Sequence, residues 1–303
     1  MTTRDDEARA DEGAQASVVD GRRRVAFQGE RGAFSEEAAV KLLGEGVTLV
    51  PRPTFESLFA SVGEGAADCA LAPVENTLAG SVHGSYALLL DSPLRISAEV
   101  VIPIRHFLIG CPGATLEGVR TVESHPVALA QCERFFASRP DIRRVASDDT
   151  AGSVAAVLKR GDPTRAAVAG RRAAEIYGGA ILRAGLEDHR ENYTRFVLLE
   201  PSPVVWEGAD KLSLVVTLAH RPGALYHALE PFARRSLDLL KLESRPVRGH
   251  PWEYHFYLDL RASPQDAEAG AALAELRERA TSVRVLGHYA SARAEVSAAE
   301  GER

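Results

Sequence analysis

Asn192-Tyr193-Thr194-Arg195-Phe196 sets a hydroxyl beside a fixed cation at the mouth of the apolar run Phe196-Val197-Leu198-Leu199. Such a pair entering a strand can grip a carboxylate and hydrogen-bond a departing hydroxyl. It can equally be a capped strand edge with a surface arginine. Pro73-Val74-Glu75-Asn76-Thr77 follows the short run Cys69-Ala70-Leu71 and presents a carboxylate, an amide and a hydroxyl before Gly80 and Ser81. Loops at the carboxyl ends of strands are where open α/β sheets bind ligands, although a helix cap with an exposed glutamate has the same composition. Ser124-His125-Pro126 repeats the plan, with proline opening a helix in which Leu129, Cys132 and Phe136 face a core. Gln131 points away from that face, into solvent or a cleft. Asp148-Asp149-Thr150-Ala151-Gly152-Ser153 opens another helix, and the turn over 28–35, ending at Ser35, opens a further one. Helix amino termini attract anions, so these starts with His125 and Arg195 outline a cleft for a small dicarboxylate. No spacing suits a metal, Gly29-Glu30-Arg31-Gly32 is neither a Walker loop nor a dinucleotide fingerprint, and no cofactor is indicated.

The elements that must position these residues follow from periodicity. Short apolar runs at 25–27, 47–50, 69–71, 96–102, 106–109 and 166–168 alternate with helical stretches at 35–43, 55–64, 82–90, 126–138 and 151–160. That alternation predicts an α/β domain with a mostly parallel sheet. Ser35-Glu36-Glu37 reads as a helix start, with the hydroxyl as cap. A Pro/Gly-rich linker over 200–210 marks a boundary. Beyond it, strands at 211–219, 237–244, 252–260 and 283–289 and helices at 222–235 and 264–280 spell βαββαβ, the ferredoxin-like order of an α+β unit.

Composition narrows the classes. A chain of 303 residues, 45% hydrophobic and 26% charged, has room for two domains with real cores. A net charge of −6 with no basic block argues against nucleic acid as a partner. Cys69, Cys111 and Cys132 are odd in number and lack ligand spacing, which suits free thiols in a reducing compartment. The longest apolar stretch, over 100–111, is too short for a membrane span and contains Arg105 and His106. Residues 1–23 carry many charges and no apolar signal-peptide region, so a disordered tail and a cytoplasmic protein are expected.

Taken in order, the motifs resemble the prephenate dehydratase family, including arogenate dehydratases. The matching stretches are Val25-Ala26-Phe27-Gln28-Gly29 with Gly32-Ala33-Phe34-Ser35-Glu36-Glu37-Ala38-Ala39, Pro73 to Thr77, Glu123-Ser124-His125-Pro126 with Ala130-Gln131-Cys132, Asp149-Thr150-Ala151, Ala173-Ala174-Glu175-Ile176-Tyr177-Gly178, and Asn192 with Thr194-Arg195-Phe196. The chain departs from the family at Val127, where glutamine is usual, and at Gly170, where serine is common. The C-terminal part resembles the family's ACT regulatory domain through Gly223-Ala224-Leu225 with Leu229, and through Glu243-Ser244-Arg245-Pro246.

The resemblance implies a bilobal catalytic domain like the type II periplasmic-binding proteins over 24–203, a linker over 204–210, an ACT domain over 211–290 and a C-terminal tail over 291–303. It implies decarboxylative dehydration of prephenate to phenylpyruvate in phenylalanine biosynthesis, by a monofunctional enzyme. It assigns the chemistry to Thr194, with Glu75 or His125 as proton source. Asn76, Thr77, Ser124 and Gln131 would orient the substrate, Arg195 and the helix starts at Ser35 and Thr150 would hold the pyruvyl carboxylate, and Phe196 would form a wall. L-Phenylalanine is implied as an effector at ACT interfaces of a homodimer or homotetramer, held by Gly223, Ala224, Leu225, Leu229, Glu243, Ser244, Arg245 and Pro246. Two other readings are arogenate dehydration giving phenylalanine directly, and a silent amino-acid sensor. The sensor would lack the polar set Glu75, Asn76, Ser124, Gln131 and Thr194, all of which are present.

Overall fold

The computed structural model describes residues 22–202, 208–247 and 249–292. The expected tails over 1–23 and 291–303 lie almost wholly outside the described residues, as does most of the linker over 204–210.

The first lobe begins with β1 (Arg24–Gln28), whose Val25, Ala26 and Phe27 are fully buried, a continuous apolar run suited to a strand covered on both faces. It continues through α1 (Phe34–Leu43), β2 (Thr48–Arg52), α2 (Phe55–Gly63), β3 (Cys69–Asn76), the short β4 (Gly80–Ser81), α3 (His83–Asp91) and β5 (Arg95–Pro103). Helix α2 is fixed at its start by a reciprocal capping box between Thr54 and Ser57. The chain then crosses to a second lobe built from β6 (Phe107–Gly110), β7 (Thr121–Ser124), α4 (Pro126–Ala130), α5 (Glu133–Ser138), β8 (Arg143–Ala146), α6 (Thr150–Arg160), β9 (Arg165–Ala169), α7 (Arg171–Tyr177) and β10 (Ala180–Ala184). It returns as β11 (Tyr193–Glu200), which enters the first sheet between β3 and β5.

Both sheets are mixed, not mostly parallel as the alternation suggested. In the first lobe β1 is parallel to β2 and β3, but the returning β11 is antiparallel to β3 and β5. In the second, β7 is parallel to β8 and β9, while β6 is antiparallel to β9 and β10. The antiparallel pairs come from a chain that leaves the first lobe and comes back, which local periodicity does not register. The helix expected over 126–138 is broken. Gln131 ends α4 and Cys132 begins α5, whose first amides, those of Glu133 and Arg134, donate to the carboxylate of Asp188 at 2.8 and 2.9 Å. A cap supplied from 55 residues away leaves no local signature. Helix α1 starts at Phe34 with Ala33 as its N-cap and no side-chain cap, so Ser35 is inside the helix and not its capping hydroxyl.

The remaining elements are β12 (Lys211–Thr217), α8 (Ala224–Arg234), β13 (Asp238–Val247), β14 (His250–Arg261), α9 (Ala267–Arg279) and β15 (Ser282–Tyr289). Their sheet order, β13-β14-β12-β15 with antiparallel neighbours, is that of a ferredoxin-like unit. One face, with Leu212, Leu214, Val216, Leu258 and Leu260, packs under α8 and α9. The other face turns to the first lobe, where Val215, Tyr257, Leu286 and Tyr289 share one core with Tyr86, Leu89, Ile96 and Val197. At the join, β15 meets β5 with Gly287 beside Ile96, so a single sheet runs through both units.

The join requires a residue without a side chain. A Cβ on Gly287 would lie 2.1 Å from the Ile96 carbonyl oxygen, a backbone atom that cannot step aside. Gly287→Ala should therefore lower unfolding free energy by about 1–3 kcal/mol, the usual cost of overpacking. Urea denaturation checks this, and a wild-type midpoint would show that the two units are not tightly joined there.

Candidate active site

A cleft of about 460 Å³ lies between the lobes. Its walls come from the turn before α1, the end of β3 and the loop after it, the starts of α4 and α6, the crossing segment at Ile104 and His106, and Thr194 on β11. The two crossings are tied together where the Ile104 amide donates to the Asn192 carbonyl at 2.7 Å. The lobes also touch directly. Glu36 of α1, fully buried, accepts from Arg31 at 2.8 Å, the Gly32 amide at 3.0 Å and Arg172 of α7 at 2.9 Å. Burial alone would raise the Glu36 carboxyl pKa, but these donors outweigh it and hold it below the ordinary value. The turn can approach α7 because residue 32 is glycine, at φ +85° with a would-be Cβ 2.7 Å from the Ala173 Cα.

A chain of side-chain hydrogen bonds crosses the hinge, and its polarity can be read from one end. The Asn76 Oδ1 accepts from the backbone amides of Leu78 and Ala79 at 3.0 and 2.8 Å, which fixes its amide and turns Nδ2 toward β11. That nitrogen donates to Asn192 Oδ1 at 2.8 Å, Thr194 Oγ1 at 3.0 Å and the Tyr193 carbonyl at 3.1 Å. Asn192 Nδ2 then donates to Gln131 Oε1 at 2.9 Å, and the same oxygen accepts from His106 Nε2 at 2.9 Å. His106 therefore carries its proton on Nε2, and burial lowers its pKa so that the ring stays neutral. Two donors remain uncommitted by this chain and open to the cleft: the Thr194 O–H and the Gln131 Nε2–H. Accepting from Asn76 polarises the Thr194 hydroxyl and strengthens it as a donor.

The cleft's charge is unusual for an anion site. Its lining includes Asp148 and Asp149 and no lysine or arginine among the described residues. Asp149 caps α6, accepting from Gly152 at 2.6 Å. Helix α1 has no side-chain cap and its first two residues, Phe34 and Ser35, line the cleft, so the helix's positive end lies in the cleft wall.

Of the residues singled out in the sequence, Ser35, Asn76, His125, Gln131, Thr150 and Thr194 line this cleft. Five others do not. Arg195 is adjacent to Thr194 on a strand, so it projects from the opposite face, where it pairs with Glu75 at 3.3 Å, Glu99 at 3.1 Å and Asp259 at 2.9 Å. It is not a carboxylate clamp. Glu75 sits inside β3, not in a loop, and opposite Arg195 in the register, so it too faces away, held by Lys241 at 3.0 Å. It is not placed to protonate a ligand in the cleft. Phe196 is core under β11. Ser124 is fully buried and donates to the Val168 carbonyl at 2.6 Å, joining β7 to β9. Thr77 bonds the Glu191 carbonyl and the Tyr193 amide at 2.8 and 2.9 Å, pinning the returning segment. His125 accepts the Val127 amide on Nδ1 at 3.2 Å, which places the proton of the neutral ring on Nε2. His106 and Asn192 belong to the hydrogen-bonded chain across the hinge, and the sequence reading did not choose them as site residues. Asn192 stood in the leading motif, whereas nothing local marked His106.

In the C-terminal unit Ala224 and Leu225 line a pocket of about 130 Å³ with Trp252, Tyr254 and Phe256. Gly223, at φ +78°, caps α8 without a side-chain bond, and Leu229 packs into the unit's own core. The quartet Glu243-Ser244-Arg245-Pro246 is divided by strand alternation. Ser244 and Pro246 stand opposite Phe256 and Tyr254 on the pocket's face, while Glu243 turns to the first lobe and accepts from Ser81 in the cleft wall. The quartet is therefore split between the two faces of β13.

The prephenate dehydratase family model matches residues 25–203. The chain is 42% identical over 286 residues to the chloroplastic arogenate dehydratase/prephenate dehydratase 2 of Arabidopsis thaliana, covering 90% of this chain and 74% of that one. Among solved structures it is similar to a prephenate dehydratase in complex with L-Phe from Arthrobacter aurescens, with TM-score 0.81, 31% identity and coverage of 88% and 90%. It is also similar, with TM-score 0.81, 34% identity and coverage of 89% and 98%, to GqqA, described as a novel type of quorum quenching acylase.

The buried His106 makes a pH signature. Its pKa is lowered in the fold, so the unfolded chain binds the extra proton first, near pH 6.5, and stability falls as pH drops through that value. His106→Gln should lose less melting temperature than the wild type between about pH 7.5 and about pH 5.5. An equal loss in both proteins would mean that the ring titrates freely in the fold.

Proposed function

The chain belongs to the prephenate dehydratase family, and from that premise we propose that it converts prephenate to phenylpyruvate, carbon dioxide and water. Electrons released from the breaking C–C bond of the ring carboxylate pass through the diene and expel hydroxide from the far ring carbon, leaving an aromatic ring, and the hydroxide takes one proton from solvent to leave as water. Aromatisation supplies the driving force, so the protein's part is to fix geometry and ease hydroxide departure. The observation that carries this reading is the Thr194 hydroxyl, which accepts from Asn76 and keeps its own proton for the cleft. A threonine is too weak an acid to surrender that proton outright, so it stabilises the departing oxygen by a hydrogen bond that tightens as charge develops. Gln131 supplies a second donor from the opposite lobe. The open start of α1 suits the pyruvyl carboxylate, and a lining without lysine or arginine avoids over-stabilising the carboxylate that must leave as carbon dioxide.

One observation favours arogenate as a second substrate. Asp148 and Asp149 put carboxylates in the cleft wall, suited to the ammonium that arogenate carries where prephenate has a ketone. The acylase chemistry attributed to the structural relative finds less support. Acyl transfer needs an activated nucleophile, and no cleft hydroxyl or thiol is hydrogen-bonded to a histidine among the described residues.

L-Phenylalanine fits as the effector, because its complex with the Arthrobacter relative is known and the pocket beside Ala224 and Leu225 combines apolar Leu218, Trp252 and Phe256 with charged Arg221 and Glu253 next to an uncapped helix start. Exposed Tyr226, Leu242 and Trp252 on the same unit favour assembly into a homo-oligomer, on whose interface the ACT regulatory reading rests. Three buried free cysteines suit a reducing, cytoplasmic setting, and no helix of the described residues is long and apolar enough to cross a membrane.

Thr194→Ala should lower kcat by about 100- to 1,000-fold with KM little changed, the usual loss on deleting one transition-state donor. Thr194→Ser should keep most of the rate. The absorbance of phenylpyruvate in alkali reads both, and a variant that raises KM while keeping kcat would assign Thr194 to binding alone. Asp148→Asn should lower kcat/KM for arogenate by about 10-fold relative to that for prephenate, one unscreened charge contact being worth about that much. An unchanged ratio would separate Asp148 from substrate choice.

A further inference from the structure

Thr194 and Asn76 face each other across the β11–β3 ladder in the cleft, and their chain neighbours Arg195 and Glu75 face each other on the other side. What holds that second pair comes largely from the C-terminal unit. Asp259 of β14 takes Arg195 at 2.9 Å, Lys241 of β13 takes Glu75 at 3.0 Å, and Lys211 of β12 takes Glu99 at 2.6 Å. Asp259 is itself oriented by the Ser213 hydroxyl at 2.6 Å, which also meets the Tyr289 hydroxyl at 2.7 Å. The cluster counts four acids (Glu75, Glu99, Glu243, Asp259) and four bases (Arg195, Lys211, Lys241, Arg245), yet the first lobe alone holds two of the acids and one of the bases. Ladder register toward β3 shifts between Arg195 and Phe196, while the ladder toward β5 runs unbroken there, so the spacing of β11 from β3, where Thr194 meets Asn76, is the pairing left least regular. Side-chain anchoring reinforces that edge.

We propose that Asp259 and Lys241 are positioning residues for the dehydration: by gripping Arg195 and Glu75 from behind the strands, they hold the Thr194 hydroxyl and the Asn76 amide at their reactive separation. The C-terminal unit thereby completes the geometry of the cleft without touching the substrate. Ser81, in the cleft wall and bonded to Glu243 of β13, is a second point of the same attachment. The proposal rests on the dehydratase reading of the cleft.

The full-length chain tests it. Asp259→Asn removes the charge and keeps the shape. It should lower kcat by up to about 100-fold, the scale of a misplacement near 1 Å, with KM within about 2-fold. Asp259→Glu should recover part of that loss. Combined with Thr194→Ala, Asp259→Asn should cost far less than the product of the two single losses, because with the hydroxyl gone there is no donor left to position. Lys241→Gln, beside the partly exposed Glu75, gives a second variant should Asp259→Asn fail to fold, and it should lower kcat by about 10-fold with KM retained. Wild-type kcat in either folded variant, or losses that multiply fully with Thr194→Ala, would overturn the proposal. A wild-type enzyme inert on both prephenate and arogenate would overturn the dehydratase reading instead.

Discussion

Arg195 is a cation taken almost wholly out of water, with 13% of its side chain exposed, and the architecture is arranged around satisfying it. Burial works against its charge, but Asp259 and Glu99 more than offset that, and the guanidinium holds its proton more firmly than in water. Removing one partner from such a buried pair typically costs about 3–5 kcal/mol, because the remaining charge is stranded. The acids that meet Arg195 lie on β3, β5 and β14, so the constraint reaches from the catalytic lobe into the C-terminal unit. The shared core around Tyr86, Tyr257 and Tyr289 encloses the cluster and keeps its effective dielectric low.

The same constraint separates the cleft from its scaffold. Strand alternation gives β3 and β11 one face for chemistry and one for charge pairing, so Asn76 and Thr194 are left with neutral hydrogen bonds only. A cleft polarised by amides, a hydroxyl and an uncapped helix start can bind a dianion without fixing a counter-charge against the carboxylate that leaves. Catalysis of this kind depends on preorganised dipoles, whose value lies in not having to reorient as charge moves. The chain from His106 through Gln131, Asn192 and Asn76 to Thr194 fixes those dipoles across the hinge.

Much of this was legible in the sequence because motif order and helix starts are local. The elements of the α/β lobes, the βαββαβ unit and the helix start at Thr150 follow from short-range patterns, and the order of the motifs, through the family they resemble, pointed to Thr194, Asn76 and Gln131. What escaped notice was non-local. Arg195 looked like a carboxylate clamp because it adjoins Thr194, yet a period of two turns neighbours to opposite faces, and only the C-terminal unit explains what the far face meets. Glu75 was misjudged in the same way, since β3 runs on through Asn76 where a loop was expected. His106 carried no signal at all, for its role depends on a hinge crossing and on Asn192, 86 positions away. The break between α4 and α5 depends likewise on Asp188, and the mixed sheets on where β11 returns.

The central claim is that this cleft eliminates water and carbon dioxide from a cyclohexadienyl substrate. The most direct measurement is a single-turnover reaction of the purified full-length chain with prephenate and, separately, arogenate, following aromatic product and carbon dioxide together. The account predicts one carbon dioxide per aromatic ring formed on at least one of the two substrates, at a rate far above the spontaneous reaction. Aromatic product no faster than the spontaneous rate on both, accompanied by cleavage of an N-acyl amide, would contradict it.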